Sequence, residues 1–248
     1  MTDQPGTGAR FEWGLAGAAV LGRSCAVLIV VDVLSFTTAL DVAVGRGIRV
    51  HPFPWGAQAD EYASRIGATV AVGRQDLSPS QPWSLSPASL MRAPVVADLV
   101  LPSPNGSAIC AAAGATGTPV VAACLRNADA VVRWLIQSGY GGIERPVGVI
   151  ASGERWPDGT LRPCVEDLLG AAMVLDGLSH APGGLSVEAA VALAALAAMP
   201  DPVAAIRGCV SGHELIARGF ADDVEVAVAL NCSNSVPMIQ HGAFINVG

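Results

Sequence analysis

Between residues 26 and 31 the chain reads Ala-Val-Leu-Ile-Val-Val, and Asp32 ends this apolar run. A short, continuous, β-branched run is what a strand buried on both faces of an α/β sheet requires; a half-exposed strand would alternate. Ser35, Thr37 and Thr38 follow, just before an alanine- and valine-rich segment with helical spacing that reaches Gly45. The expectation is a carboxylate at the carboxyl end of a central strand, with hydroxyls at the start of the next helix. Free backbone N–H groups and the positive end of the helix dipole favour an anion at such a place. Asp32 is itself negative, so a phosphate there calls for a cation between the two. The plainer alternative is a helix cap beside a strand-end carboxylate facing solvent.

The rest of the chain repeats this pattern. Strands are expected over 48–53, 69–72, 95–101, 119–125 and 146–151, and helices over 57–66, 108–113, 128–138 and 165–178. Residues 76–87 read as a loop by their prolines, and 152–163 as a long polar loop. Strand, polar loop and helix in alternation predict an α/β chain, a three-layer α/β/α fold with a largely parallel or mixed sheet. In such a sheet the loops at the carboxyl ends of the strands share one edge, where ligands bind. Asp32, Gly73-Arg74, Asn105-Gly106, Arg126-Asn127 and the stretch 154–167 are therefore expected to converge. Farther on, 186–199 and 202–219 read as helices, with Ser186 a good N-cap. The stretches 224–230 and 237–247 read as strands around an Asn-Cys-Ser-Asn turn, a carboxyl-terminal hairpin closing one edge of the sheet. No convincing linker divides the chain, so 1–248 is taken as one domain, with lobes 1–145 and 146–248 as the alternative.

Composition narrows the partners. The 248 residues are 52% hydrophobic and 14% charged, which allows a large core and confines expected disorder to about the first dozen residues. A net charge of −7, with no Lys/Arg cluster, argues against nucleic acid and against an anionic membrane surface. Any anion site must then rest on local arginines, N–H groups or a metal. The six cysteines are scattered without a Cys-x-x-Cys pair, and the four histidines lack metal-ligand spacing. They read as reduced thiols in a cytoplasmic protein, without signal peptide or membrane span. Alanine-rich helices and low charge make a homodimer an expectation from composition alone.

Several segments resemble a known family. Asp32-Val33-Leu34-Ser35-Phe36-Thr37-Thr38, Gly73-Arg74-Gln75, Leu85-Ser86-Pro87, Pro104-Asn105-Gly106-Ser107 and Ala151-Ser152-Gly153, the last followed by Glu166-Asp167, are similar in order and spacing to the 2-phosphosulfolactate phosphatases, the ComB-like proteins. Arg126-Asn127-Ala128 and the ending Gly219-Phe220-Ala221-Asp222-Asp223-Val224, with Val236-Pro237 beyond it, extend the likeness over nearly the whole chain. Two positions depart from the family pattern: Ser35 stands where Arg is usual, and Gly73-Arg74-Gln75 lacks a Glu. The resemblance implies a Mg²⁺-dependent hydrolase that removes phosphate from 2-phosphosulfolactate, a step of coenzyme M biosynthesis.

Hydrolysis of a phosphate monoester needs neutralisation of the phosphoryl oxygens and a positioned water or carboxylate nucleophile. Asp32, Glu166 and Asp167 are the carboxylates expected to hold Mg²⁺, with Asp32 and Glu166 as the catalytic pair. Glu166 and Asp167 are neighbours on a helix and point apart, so one is expected on the metal and the other capping the helix or orienting a water. Metal-activated water is favoured over an aspartyl-phosphate because Leu34, not an Asp, stands two residues after Asp32. Thr37, Thr38, Asn105, Gly106 and Ser107 are candidate anion donors at two helix starts. Arg74, Arg126 with Asn127, and Arg162 are candidates for a sulfonate or carboxylate of a small phosphorylated acid. Cys164, beside the acidic pair, is read as a packed thiol rather than a nucleophile. The alternative from another functional class is a non-catalytic member of the same fold that binds an anion or metabolite.

Overall fold

The computed structural model describes residues 2–56 and 58–248; Met1 and Ala57, the expected first residue of the helix over 57–66, lie outside them. In chain order the elements are β1 (Ala9–Trp13), α1 (Gly14–Leu21), β2 (Val27–Val31), α2 (Phe36–Gly45), β3 (Arg49–Pro54), α3 (Gln58–Ile66) and β4 (Thr69–Val70). There follow α4 (Pro87–Arg92), β5 (Asp98–Ser103), α5 (Gly106–Ala115), β6 (Val120–Ala123), α6 (Ala128–Gln137) and β7 (Val147–Ala151). The last third holds β8 (Glu154–Arg155), β9 (Leu161–Arg162), α7 (Val165–Gly177), α8 (Val187–Ala197), α9 (Pro202–Gly208), α10 (Val210–Ala217), α11 (Ala221–Ala227), β10 (Pro237–Gln240) and β11 (Ala243–Asn246).

Nine strands form one mixed sheet in the order β1-β7-β2-β6-β10-β11-β3-β5-β4, with helices on both faces. β2 lies inside it and all five of its residues are buried. Val27, Ile29 and Val31 enter the core shared with α6 and α7, while Leu28 and Val30 enter the core shared with α2 and α5. That two-sided burial is why the run carries no polar residue.

Three expectations are corrected. The carboxyl-terminal hairpin, β10 with β11, lies in the middle of the sheet and not at an edge: Met238 pairs with Val121 of β6, and Phe244 with Val50 of β3. Residues 224–230 are not a strand; α11 buries Val224, Ala227 and Val228 at helical spacing. At the start of the chain, Ala9–Trp13 is an ordered edge strand in parallel register with β7.

The hairpin has a geometric consequence. The strands β1, β7, β2 and β6 are mutually parallel, as are β3, β5 and β4. Three successive antiparallel steps separate the two blocks, so they run in opposite directions. In a flat sheet their carboxyl ends would lie on opposite edges, and β2 and β3, four steps apart at about 4.8 Å each, would stand roughly 19 Å apart. Helix α5 nevertheless packs on both β2 and β3, and Leu28, Val50, Leu99 and Leu101 share one core. A helix about 10 Å wide bridges such strands only if the sheet curls around it. Curling, not a common edge, brings the end of β5 to the ends of β2 and β7.

Candidate active site

Asp32 follows the last residue of β2 and is 9% exposed. Its Oδ1 accepts the Phe36 N–H at 3.1 Å, and the Gly106 N–H also donates to it. Gly106 has to be glycine there: a Cβ would sit 2.2 Å from Phe36 Cδ1 and 2.9 Å from Asp32 Oδ2. The start of α5 is thus pressed onto the strand-end carboxylate. Burial, then the charges of Glu154 and Glu166, raise the Asp32 carboxyl from 3.8 to about 7, the two N–H donors opposing.

Asp167, in the first turn of α7, works as a clamp. Its Oδ1 accepts Val33 N–H and its Oδ2 accepts Gly153 N–H, each at 2.8 Å, tying the exit of β2 to the exit of β7. Burial, with Asp32 and Glu166 nearby, pushes its carboxyl well above the usual range. Glu166 is buried beside it and accepts the Cys209 thiol proton at 3.2 Å. The acidic pair therefore does reach the end of β2. Burial above all pushes the Cys164 and Cys209 thiols up to about 12, so both stay protonated near neutral pH.

A cavity of about 400 Å³ opens at this place, lined among others by Asp32, Ser35, Arg74, Asn105, Glu154 and Arg218. Asn105 Nδ2 donates to Glu154 Oε2 at 2.7 Å. Arg74 is held from several sides. Its Nε donates to the buried Asp223 Oδ2 at 3.0 Å, its Nη2 donates to Ser35 Oγ and to Leu85 O, and Phe220 lies 5.8 Å under the guanidinium. Asp223 Oδ1 in turn takes the Ser86 hydroxyl at 2.5 Å and the Ala88 N–H at 3.2 Å.

Other sequence-derived candidates are placed elsewhere. Thr37 Oγ1 donates to Asp32 O at 2.8 Å and accepts Asp32 N–H at 3.0 Å, while Thr38 Oγ1 donates to Val33 O at 2.8 Å. Both hydroxyls pin the strand end and leave no donor for an anion. Ser107 Oγ is likewise given to Ser103 O at 2.5 Å. Arg126 pairs with buried Asp41 at 2.7 Å, and Asn127 bridges Cys124 N, Ala122 O and Ser235 O inside the core. Neither lines the cavity. Arg162 does not line it either; its Nη2 lies 3.4 Å from the hydroxyl of Ser211, which does, and its Cζ 5.9 Å over the Trp156 ring.

Glu154 enters the sequence reading only as the start of the convergent stretch 154–167, without a role, and Arg218 and Asp223 are absent from the candidates. Glu154 sits in the expected polar loop without a motif to mark it. Asp223 lies in the segment 219–224 that carried part of the family likeness, just before the strand expected over 224–230. Arg218, which follows α10, carried no local signal. Among the described residues no three His, Cys, Asp or Glu side chains stand together in a way that could hold a metal ion by themselves. No single described helix is long and apolar enough to cross a membrane, although the bent pair Val187–Ala197 and Pro202–Gly208 passes by length and composition only.

No curated protein sequence matches this chain. The family model described as 2-phosphosulpholactate phosphatase matches residues 19–242, a span that takes in β2, the Arg74 turn, the Asn105-Gly106 loop and the acidic start of α7. By that match over nearly its whole length, the chain belongs to the 2-phosphosulpholactate phosphatase family.

Proposed function

We propose that the chain hydrolyses the phosphate monoester of a small acid, similar to 2-phosphosulfolactate, in the cavity between Asp32 and Arg74, with Mg²⁺ as its cofactor. The observation that carries this reading is the buried carboxylate Asp32, opposed by Glu154 and Glu166, on the wall of a cavity that two arginines also line. Excess negative charge at oxygen ligands beside cationic donors suits a divalent ion facing a phosphate.

The donor set fits Mg²⁺ in a particular way. Asp167 does not line the cavity and each of its oxygens holds a backbone N–H; of the carboxylates that do line it, Asp32 and Glu154 stand together, with Glu166 adding charge behind them and the exposed Glu214 also on the wall. Mg²⁺ needs only one or two carboxylates because it keeps several waters and takes substrate phosphate oxygens. Bound there, it would supply charge neutralisation on the phosphoryl group. Arg74, fixed by Asp223, presents a guanidinium to the anion, and Arg218 adds a second. Asp32, on the cavity wall at the end of β2, is also the carboxylate placed to take a proton from the attacking water.

The test is phosphate release from 2-phosphosulfolactate and related 2-phosphonooxy acids by purified protein. Release should depend on added Mg²⁺, stop with a chelator and fall by orders of magnitude in Asp32→Asn. Full turnover in Asp32→Asn, or turnover indifferent to the chelator, would refute the assignment.

A further inference from the structure

A second cavity of about 430 Å³ adjoins the first. Asn105 and Glu154, joined by their 2.7 Å hydrogen bond, line both, so the two spaces meet at that pair. The character of the second cavity differs from that of the first. Its walls are mostly apolar, made by Leu15, Ala16 and Ala19 of α1, Ile109 of α5, and Leu161 of β9. Its one arginine, Arg155, is exposed and donates to Gly159 O at 3.1 Å, whereas the first cavity holds Arg74 fixed on buried Asp223.

Its polar side chains are Asn105, Glu154, the exposed Arg155 and, deepest among them, Ser152. Ser152 follows β7 and is 2% exposed, and among the described residues its Oγ is the one buried side-chain oxygen or nitrogen without a hydrogen-bond partner. Its position is fixed by the sheet. Val31 and Ala151 are register partners, so Asp32 and Ser152 are the next residues of neighbouring parallel strands and share a face. The Ser152 N–H donates to Val31 O at 2.8 Å, which holds that alignment past the last paired residue. An orphaned hydroxyl beside the strand-end carboxylate, within an apolar chamber, is suited to an apolar ligand that carries one hydrogen-bonding group.

Resting on the phosphatase reading, we propose that both cavities take a single substrate: the phosphate at Asp32 and Arg74, and an apolar extension between α1 and α5. The substrate class is then a phosphorylated 2-hydroxy acid bearing a hydrocarbon chain, with a polar atom of the acid within reach of Ser152. Continuity through Asn105 and Glu154 favours one bridging molecule over a separate effector. The size also fits, since ligand cavities span roughly 300–1,000 Å³ and each of these two alone lies at the low end.

The experiment measures kcat/KM for 2-phosphonooxypropanoate, 2-phosphonooxyhexanoate and 2-phosphonooxyoctanoate, and titrates the matching 2-hydroxy acids calorimetrically. The wild type is compared with Ala16→Trp and Ala19→Phe, which fill the cavity from two turns of α1. Each added methylene should raise kcat/KM and the association constant about three- to fourfold until the chamber is full. The octanoate-to-propanoate ratio should fall toward one in both variants. A wild-type ratio near one, or a large ratio that survives both substitutions, overturns the inference. If no ester releases phosphate yet the binding preference for the long acid holds and both variants abolish it, the phosphatase reading falls while the apolar subsite stands.

Discussion

Exchanging Asp223 for Asn leaves the side chain's volume nearly unchanged and removes one charge, which makes it a sharp probe of how Arg74 is held. The Asp223 side chain is 2% exposed and that of Arg74 18%. Asp223 accepts three donors, from Arg74, Ser86 and Ala88. An amide has a single acceptor oxygen, so its NH₂ must face either the guanidinium or the Ser86–Ala88 pair, donor against donor. Removing one partner of a buried ion pair costs about 3–5 kcal/mol. Arg74 keeps its bonds to Ser35 and Leu85 and some solvent contact, which places the expected loss near the lower end, about 3 kcal/mol. Urea unfolding of wild type, Asp223→Asn, Arg74→Met and the double variant reads this directly. With the guanidinium gone, Asp223→Asn should cost only about 1 kcal/mol, a coupling of about 2 kcal/mol between the two sites. In the phosphate-release assay, Asp223→Asn should raise KM more than it lowers kcat, because the grip on the anion loosens. Strictly additive losses, or a single-variant cost below about 0.5 kcal/mol, would show that Asp223 does not hold Arg74 in the way described.

Asp32 makes the metal-free protein lose stability as pH rises from about 4 to about 7. Its folded carboxyl is raised from 3.8 to about 7, so the folded state binds the proton more tightly than the unfolded state and stability falls as pH climbs through that window. Roughly three units at about 1.4 kcal/mol each make that loss about 4 kcal/mol, absent in Asp32→Asn; an unchanged pH slope in chelator-treated Asp32→Asn refutes the assignment. Gly106→Ala, whose Cβ would strike Phe36 and Asp32, should cost about 1–3 kcal/mol in thermal or urea unfolding and remove phosphate release; a wild-type melting curve would contradict the close approach. Ser152→Ala deletes a buried hydroxyl without a partner and should stabilise the chain by about 1 kcal/mol, a rise of about 2–4 °C in Tm, whereas a lower Tm would mean that the hydroxyl is satisfied.

Much of the site was legible one residue at a time. The buried strand and the carboxylate that ends it follow from an unbroken apolar run, because only burial on both faces removes the need for alternation. Asn105, Gly106 and Arg74 stood out as turn residues after strands, and the structure brings all three to the cavity or against Asp32. Thr37, Thr38, Ser107, Arg126 and Asn127 carried the same kind of signal, yet their donors are spent on nearby backbone and on Asp41. A hydroxyl before a helix looks alike in sequence whether it faces a ligand or closes a turn. What separates the two is which acceptor lies nearest in space.

Residues 224–230 show the same limit at the level of elements. Val-Glu-Val-Ala-Val-Ala-Leu alternates as a strand does, while Val224, Ala227 and Val228 also satisfy helical spacing. The helix wins where Asp223 docks into the Ser86–Arg74 cluster, a contact across more than a hundred residues.

The sequence by itself determined the α/β class, the family, and Asp32 as the end of a buried strand, because periodicity and local turn chemistry are written within a few residues. Only the tertiary structure decided that a hairpin sits mid-sheet, that two oppositely running blocks curl around α5, and that Glu154, Arg218 and Asp223 join Asp32 and Arg74. Those outcomes depend on strand pairing and packing between distant segments, which no local pattern encodes.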